Sequence, residues 1–274
     1  MNLKLAIFIL GFAAADVATV VGEAALVPPK AIPSFFPGQN RLLLTWTNKS
    51  AVEITTEADG TIFAASSTLA VPLPIHLKEK LRLLPKQAAL MPVTIDLPEV
   101  RGKTLFVIRW QDSAKKPIGN LDLNVYPRDI LQQLGSSVGV ISENDSFKNA
   151  FTSANLKFEE IQPDQLHEFR RHLLIINGFS AAANAFKAEI EAAARRGIVI
   201  VWITPDTKQD SAVQPNFFMT PFGSGAIVFV QEQFVQNFAE NAASQLRVVE
   251  ICRAATSPGR PGLPIIFSKD QNED

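Results

Sequence analysis

From about Ala25 to Tyr126, apolar and polar residues alternate in short runs, and none of these runs keeps a helical period. Residues 41–47 (RLLLTWT) read as a strand that closes at Asn48-Lys49-Ser50. Residues 52–57 and 61–65 flank Asp59-Gly60. An Asp-Gly step between two β-type runs predicts a hairpin, because a type I′ turn needs positive φ at both central positions. Residues 93–97 and 120–126 alternate with period two, and 104–110 form a continuous apolar strand. Pro72, Pro74, Pro85, Pro92 and Pro98 restrict any helix here to very short pieces. The pattern predicts an all-β immunoglobulin-like sandwich over residues 25–127.

After Pro127 the period changes. Residues 129–134 predict a short helix and 138–142 (VGVIS) an apolar strand. Asp145 is placed to cap a helix running through Phe147 and Phe151, since a side-chain oxygen satisfies the first free N–H groups. Residues 158–161 read as a second strand, 164–169 as a short helix and 172–177 (HLLIIN) as a third, central strand. Residues 180–196 predict a helix with Phe186, Ile190 and Ala193 on one face. Arg195 and Arg196 suit its negative end, and Gly197 supplies the stop. Residues 198–203 and 226–230 are further strands, and 234–255 one helix or two. Strands that alternate with helices and are apolar on both faces predict an α/β doubly wound parallel sheet over residues 128–256. Residues 257–274 read as a tail in which Ile265-Ile266-Phe267 is the apolar exception.

Composition narrows the functional classes. The 274 residues are 47% hydrophobic and 19% charged, which suits two packed cores rather than a disordered chain. Net charge is -1 and no Lys/Arg cluster exceeds a pair, which argues against nucleic acid as a partner. Lys4, the apolar run from Leu5 to Phe12, and Ala13-Ala14-Ala15 follow the order of a secretory signal peptide over residues 1–24, cleaved after Ala15 or after Ala24. A spanning helix needs about 20 apolar residues, and Asp16 interrupts this run, so no membrane span is expected after cleavage. The single cysteine, Cys252, excludes an intrachain disulfide and a Cys-rich metal site. No cysteine lies near the signal region to take a lipid. An exported protein of the periplasm or cell envelope is expected.

Several motifs could carry chemistry. Gly178-Phe179-Ser180-Ala181-Ala182 follows a strand and opens a helix, where a nucleophile elbow would sit. The base of such enzymes follows the serine, yet His76, His167 and His172 all precede it, so Ser180 reads as a helix N-cap after a glycine turn. Glu143, Asn144 and Asp145 end the first α/β strand, and Asn177, Ser180, Thr204 and Asp206 are expected along the same carboxyl edge. Ligands of doubly wound sheets bind there, where the strand order reverses. These seven residues form the candidate pocket for a small ligand or an ion, with capping and loop solvation as the alternative. Gly223-Ser224-Gly225 precedes a strand, so it reads as a turn rather than a phosphate loop. Cys252 reads as a buried structural thiol. His76 and His167 lack partners at metal-ligand spacing. Asn48-Lys49-Ser50 and Asn144-Asp145-Ser146 match the glycosylation pattern.

The run HLLIIN at 172–177, the helix ending Ala193-Ala194-Arg195-Arg196-Gly197, the strand IVIVW at 198–202 and Gly223-Ser224-Gly225-Ala226-Ile227-Val228 resemble the class I glutamine amidotransferase-like superfamily, a flavodoxin-like fold. The resemblance is to its degenerate members in exported bacterial proteins and covers about residues 128–256. Active members need a cysteine nucleophile at the turn after a central strand and a downstream histidine. Here that turn reads Asn177-Gly178-Phe179-Ser180, and no histidine follows. The resemblance therefore implies interaction rather than catalysis. No catalytic residue, metal or cofactor is assigned. The expectation is a non-catalytic exported binding or scaffolding protein with envelope protein partners. A hydrolase built on Ser180 or on Glu143 and Asp145 is one alternative. A carbohydrate-binding module is another, and it would need Trp46 or Trp110 exposed, whereas both lie in apolar strands.

Overall fold

A computed structural model of the chain describes residues 24–65, 69–135, 138–178, 185–204, 217–231 and 237–256. The fold is rich in β structure, with three sheets of mixed parallel and antiparallel pairing. The first eight strands are β1 (Ala24–Val27), β2 (Ser34–Phe35), β3 (Gly38–Asn48), β4 (Ile54–Ala65), β5 (Ala70–Leu83), β6 (Ala88–Leu97), β7 (Thr104–Gln111) and β8 (Pro117–Val125). They form a three-stranded sheet in the order β1-β3-β6 and a five-stranded sheet in the order β2-β8-β7-β4-β5. Alternate residues of both sheets meet in one core. Trp46 of β3 and Trp110 of β7 touch edge to face there, with ring centroids 5.4 Å apart. Both indoles are fully buried, so neither can serve a glycan surface.

The hairpin expected at Asp59-Gly60 does not form. β4 runs straight through both residues between β5 and β7, and Gly60 does not have a positive φ. Glycine stands there because the Trp110 ring covers it: an added Cβ would lie 2.9 Å from Cζ3 of that ring. Nor do Pro72, Pro74 and Pro92 merely break helices. They lie within β5 and β6, which are edge strands where a missing N–H is tolerated.

Asn48 is the buried polar residue of this unit, at 1% exposure. Its Nδ2 donates to the carbonyls of Val52, Leu83 and Leu84, and its Oδ1 accepts from the backbone N–H and hydroxyl of Ser50. One amide thereby holds together the loop after β3 and the end of β5. Asn48→Ala strands these carbonyls and should lower the unfolding free energy by about 2 kcal/mol, read from the urea midpoint. A side chain so engaged is no glycan acceptor in the folded protein, although its tripeptide fits the pattern.

The second unit holds β9 (Val138–Ser142), β10 (Phe158–Glu160), β11 (Leu173–Asn177), β12 (Val199–Thr204), β13 (Phe217–Phe222) and β14 (Gly225–Gln231). Its helices are α1 (Asp145–Ser153), α2 (Lys187–Arg195) and α3 (Ala242–Thr256). The sheet order is β10-β9-β11-β12-β14-β13. Every pair is parallel except β13 with β14, so the expected all-parallel sheet is closed at one edge by an antiparallel hairpin. Gly223, at φ +60°, makes the turn of that hairpin. The sheet is covered on both faces. Phe147, Phe151, Val248, Val249 and Cys252 pack on one side, and Ile190, Ala193 and Ala194 on the other.

Smaller departures have local causes. Residues 129–134 and 163–165 form 3₁₀ turns (Ile130–Leu134 and Pro163–Gln165), the second replacing the helix expected over 164–169. The last segment divides into a 3₁₀ turn, Phe238–Glu240, and α3. Of the helix expected over 180–196, residues 187–195 are helical as α2, and its start at Ser180 lies outside the described residues. Phe36 and Tyr126 leave the first unit and join the core under α3. Beside them Arg128 bridges Glu240 at 2.9 Å and the carbonyl of Pro37 at 3.0 Å.

Candidate functional site

The strand order reverses between β9 and β11. The connection from β9 passes outward to β10, while β11 lies on the other side of β9 and leads to β12. Register places Ser142, Asn177 and Ile203 side by side at the carboxyl ends of these strands. Chains leaving β9 and β11 must diverge here, which opens a crevice. A cleft of about 440 Å³ occupies it, lined by Glu143, Asn144, Asp145, Ser146, Asn177 and Gly178.

Hydrogen bonds shape its floor. The Ser142 hydroxyl donates to the Asn144 carbonyl and accepts from the Asn144 N–H. Asn177 Nδ2 approaches the same hydroxyl at 3.4 Å. Asn144, not Asp145, is the N-cap of α1: its Oδ1 accepts from the Ser146 N–H at 2.8 Å, and Asp145 is the first helical residue. Gly178 ends β11 at φ +85°, a conformation that glycine adopts freely. Its N–H donates to the Ile203 carbonyl, and its carbonyl accepts from the Trp202 indole. The backbone turn is therefore fixed from both sides before the following helix.

The charges are acidic and largely solvated. Glu143 and Asp145 are exposed, and Asp145 pairs with Lys148 Nζ at 2.9 Å. Lys148 also donates to Glu160 at 2.8 Å, and its hydrogen bonds to Glu160 and Asp145 raise its pKa above the ordinary lysine value. Among the described residues no three His, Cys, Asp or Glu side chains come together as a metal-binding group.

Four of the seven expected pocket residues, Glu143, Asn144, Asp145 and Asn177, thus line one cleft. Thr204 ends β12 opposite Gln231, at the same edge. Ser180 and Asp206 lie outside the described residues. Ser146 and Gly178 were not expected as lining. The signals were present in Asn144-Asp145-Ser146, where an Asn two residues before a Ser makes a side-chain cap, and in the glycine that closes β11.

The histidines lie elsewhere. His76 is in β5 of the first unit. His172 precedes β11, where its carbonyl accepts from the Val199 N–H at the amino end of β12. His167 follows Leu166, whose carbonyl is bound by Arg196 just past the end of α2, again at the amino edge. Cys252 is buried in α3, and desolvation pushes its thiol up to about 12. It should resist Ellman's reagent at neutral pH until urea unfolds the chain. The folded state keeps this thiol neutral where the unfolded chain, with a thiol pKa of about 8.5, ionises. The stability it contributes is therefore full below that pH and is lost as the pH rises towards 12.

No protein-family model matches the chain, and no curated protein does. Among solved structures, the alkylpurine DNA glycosylase AlkC of Pseudomonas fluorescens aligns at 11% identity and TM-score 0.28, over 38% of this chain and 30% of its own. A Niemann-Pick type C2 protein from the Japanese carpenter ant aligns at 11% identity and TM-score 0.27, over 34% and 78%. A β-glucosidase of Listeria innocua aligns at 12% identity and TM-score 0.29, over 39% and 16%. The chain thus spans less than a third of the glycosylase and a sixth of the glucosidase, and likeness at this level carries no functional inference.

Proposed function

We propose that the chain is a non-catalytic, exported binding or scaffolding protein of the periplasm or envelope, which takes a small polar ligand in the crevice between β9 and β11. In this reading the first unit is an immunoglobulin-like sandwich that meets protein partners. The second is a flavodoxin-like domain of the degenerate glutamine amidotransferase-like kind. The observation that carries the reading is an open polar cleft at the strand-order reversal with all three histidines remote from it. The described residues of the cleft offer hydrogen-bond donors, acceptors and two carboxylates, which suit recognition. A serine there would lack the base that acyl transfer requires.

Export rests on the N-terminal residues. The pairing of Ala24 with Asn48 and the burial of Ala24 at 3% exposure favour cleavage after Ala15 over cleavage after Ala24, which would remove the first residue of β1. The mass of the processed protein should match an N-terminus at Asp16. A mass matching Ala25 would refute that choice.

A fluorophosphonate probe tests the absence of catalysis. The expected result is labelling no greater than that of the heat-denatured protein. Labelling of the native protein that disappears in S180A would replace this reading with a serine hydrolase.

A further inference from the structure

We infer that the outer face of the sheet β1-β3-β6 is a docking surface for an anionic phospholipid bilayer. Register sets Val27, Thr45 and Leu90 in one row across this face, Leu43 and Pro92 in the next, and Ala25, Thr47 and Ala88 in the row on the other side. Leu43 is 67% exposed and Leu90 68%. Of the eight most exposed large apolar side chains among the described residues, Val27, Leu43 and Leu90 lie on this face. Val52 and Leu84 lie in the loops that Asn48 gathers at its end. An antiparallel sheet with one face on a core ordinarily turns polar residues outward. The five-stranded sheet does so, with Glu57 opposite Lys80, Asp59 opposite Lys78, and Arg109 opposite Asn120. That sheet also turns Phe63 and Val107 outward, but both are half-buried and Arg109 lies over the Phe63 ring. The strongly exposed apolar patch is that of the three-stranded sheet, and a patch of this kind marks an interaction surface.

Charge identifies the occupant. Arg41 lies on the same face in the row beyond Leu43, and Lys30 stands three residues past Val27. Lys49 and Lys86 stand at the Asn48 end, where Lys86 Nζ donates to the Lys49 carbonyl. None of these four cations meets a carboxylate among the described residues. The nearest acid along β6 is Asp96, opposite Gln39. An apolar centre rimmed by unpaired cations fits acyl chains beneath anionic headgroups. A second copy would bring only one acid of this face, Asp96, against the four cations and leave most of them uncompensated.

The test uses the processed chain beginning at Asp16 and carrying L43C or L90C, labelled with an environment-sensitive fluorophore. Buried Cys252 stays unlabelled. D122C, on the exposed outer face of the five-stranded sheet, is the control. Vesicles of phosphatidylcholine containing phosphatidylglycerol should shift the emission at 43 and 90 to the blue and raise it several-fold, with no change at 122. High salt, and the combined R41E, K49E and K86E substitutions, should abolish most of that response. Unchanged emission at 43 and 90, or an equal response at 122, overturns the inference. So does a response that needs no vesicles and grows with protein concentration, which would identify a second copy as the occupant.

Discussion

Trp110→Ala should destabilise the first unit by about 4 kcal/mol, as expected for truncation of a large, fully buried aromatic side chain. Its consequence for Gly60 is more telling. An alanine at 60 in the native protein would place its Cβ against three ring carbons of Trp110, at 2.9 to 3.1 Å. The ring cannot retreat easily, because Trp46 packs edge-on against it. Gly60→Ala alone should therefore cost about 2 kcal/mol by overpacking. In the Trp110→Ala background the obstruction is gone, and the same substitution should be nearly neutral. Urea midpoints of the four proteins measure this coupling. Additive losses would mean that Gly60 is required for its backbone, as the hairpin reading of Asp59-Gly60 supposed.

Gly225→Ala is expected to be as severe in the second unit, also about 4 kcal/mol, because the atoms it meets are backbone. The new Cβ would sit 2.3 Å from the carbonyl oxygens of Ala194 and Ile198 and 2.9 Å from the Ile198 nitrogen. Those atoms belong to the junction between α2 and β12, where Gly197 turns the chain at φ +101°. Neither side can shift without separating β14 from α2. Gly102→Ala, with nothing within 4 Å of the added atom, is the matched control and should leave the midpoint unchanged. Comparable losses in both variants would show that glycine content, not this close approach, sets the effect.

These two positions also show what was legible in the sequence. The central α/β strands could be read from runs such as LLIIN and VIVWI, because burial on both faces leaves a continuous apolar signature. The edge strands were legible only in part: 93–97 of β6 and the whole of β10 could be read, but β5 and β13 could not. β5 does alternate, with Leu77, Leu81 and Leu83 inward, but its two prolines resemble a loop unless the strand is known to be an edge. β13 carries Pro221 for the same reason. Gly60 was misread because the residue that requires it lies fifty positions further on, and a local turn rule cannot weigh a contact across the sheet. For the candidate site, Glu143, Asn144, Asp145 and Asn177 followed from the rule that strand ends at an order reversal carry ligands. The helix cap passed from Asp145 to Asn144 because the extended backbone of Asn144 lets its side-chain Oδ1 reach the Ser146 N–H.

The central claim is that the crevice between β9 and β11 holds a ligand. The most direct measurement is a thermal-shift panel of small polar compounds, including sugars, amino acids and polyamines, run on the native protein and on the variant carrying E143L and N177L. At least one compound should raise the melting temperature of the native protein and leave that of the variant unchanged. A panel in which no compound separates the two proteins would contradict the claim.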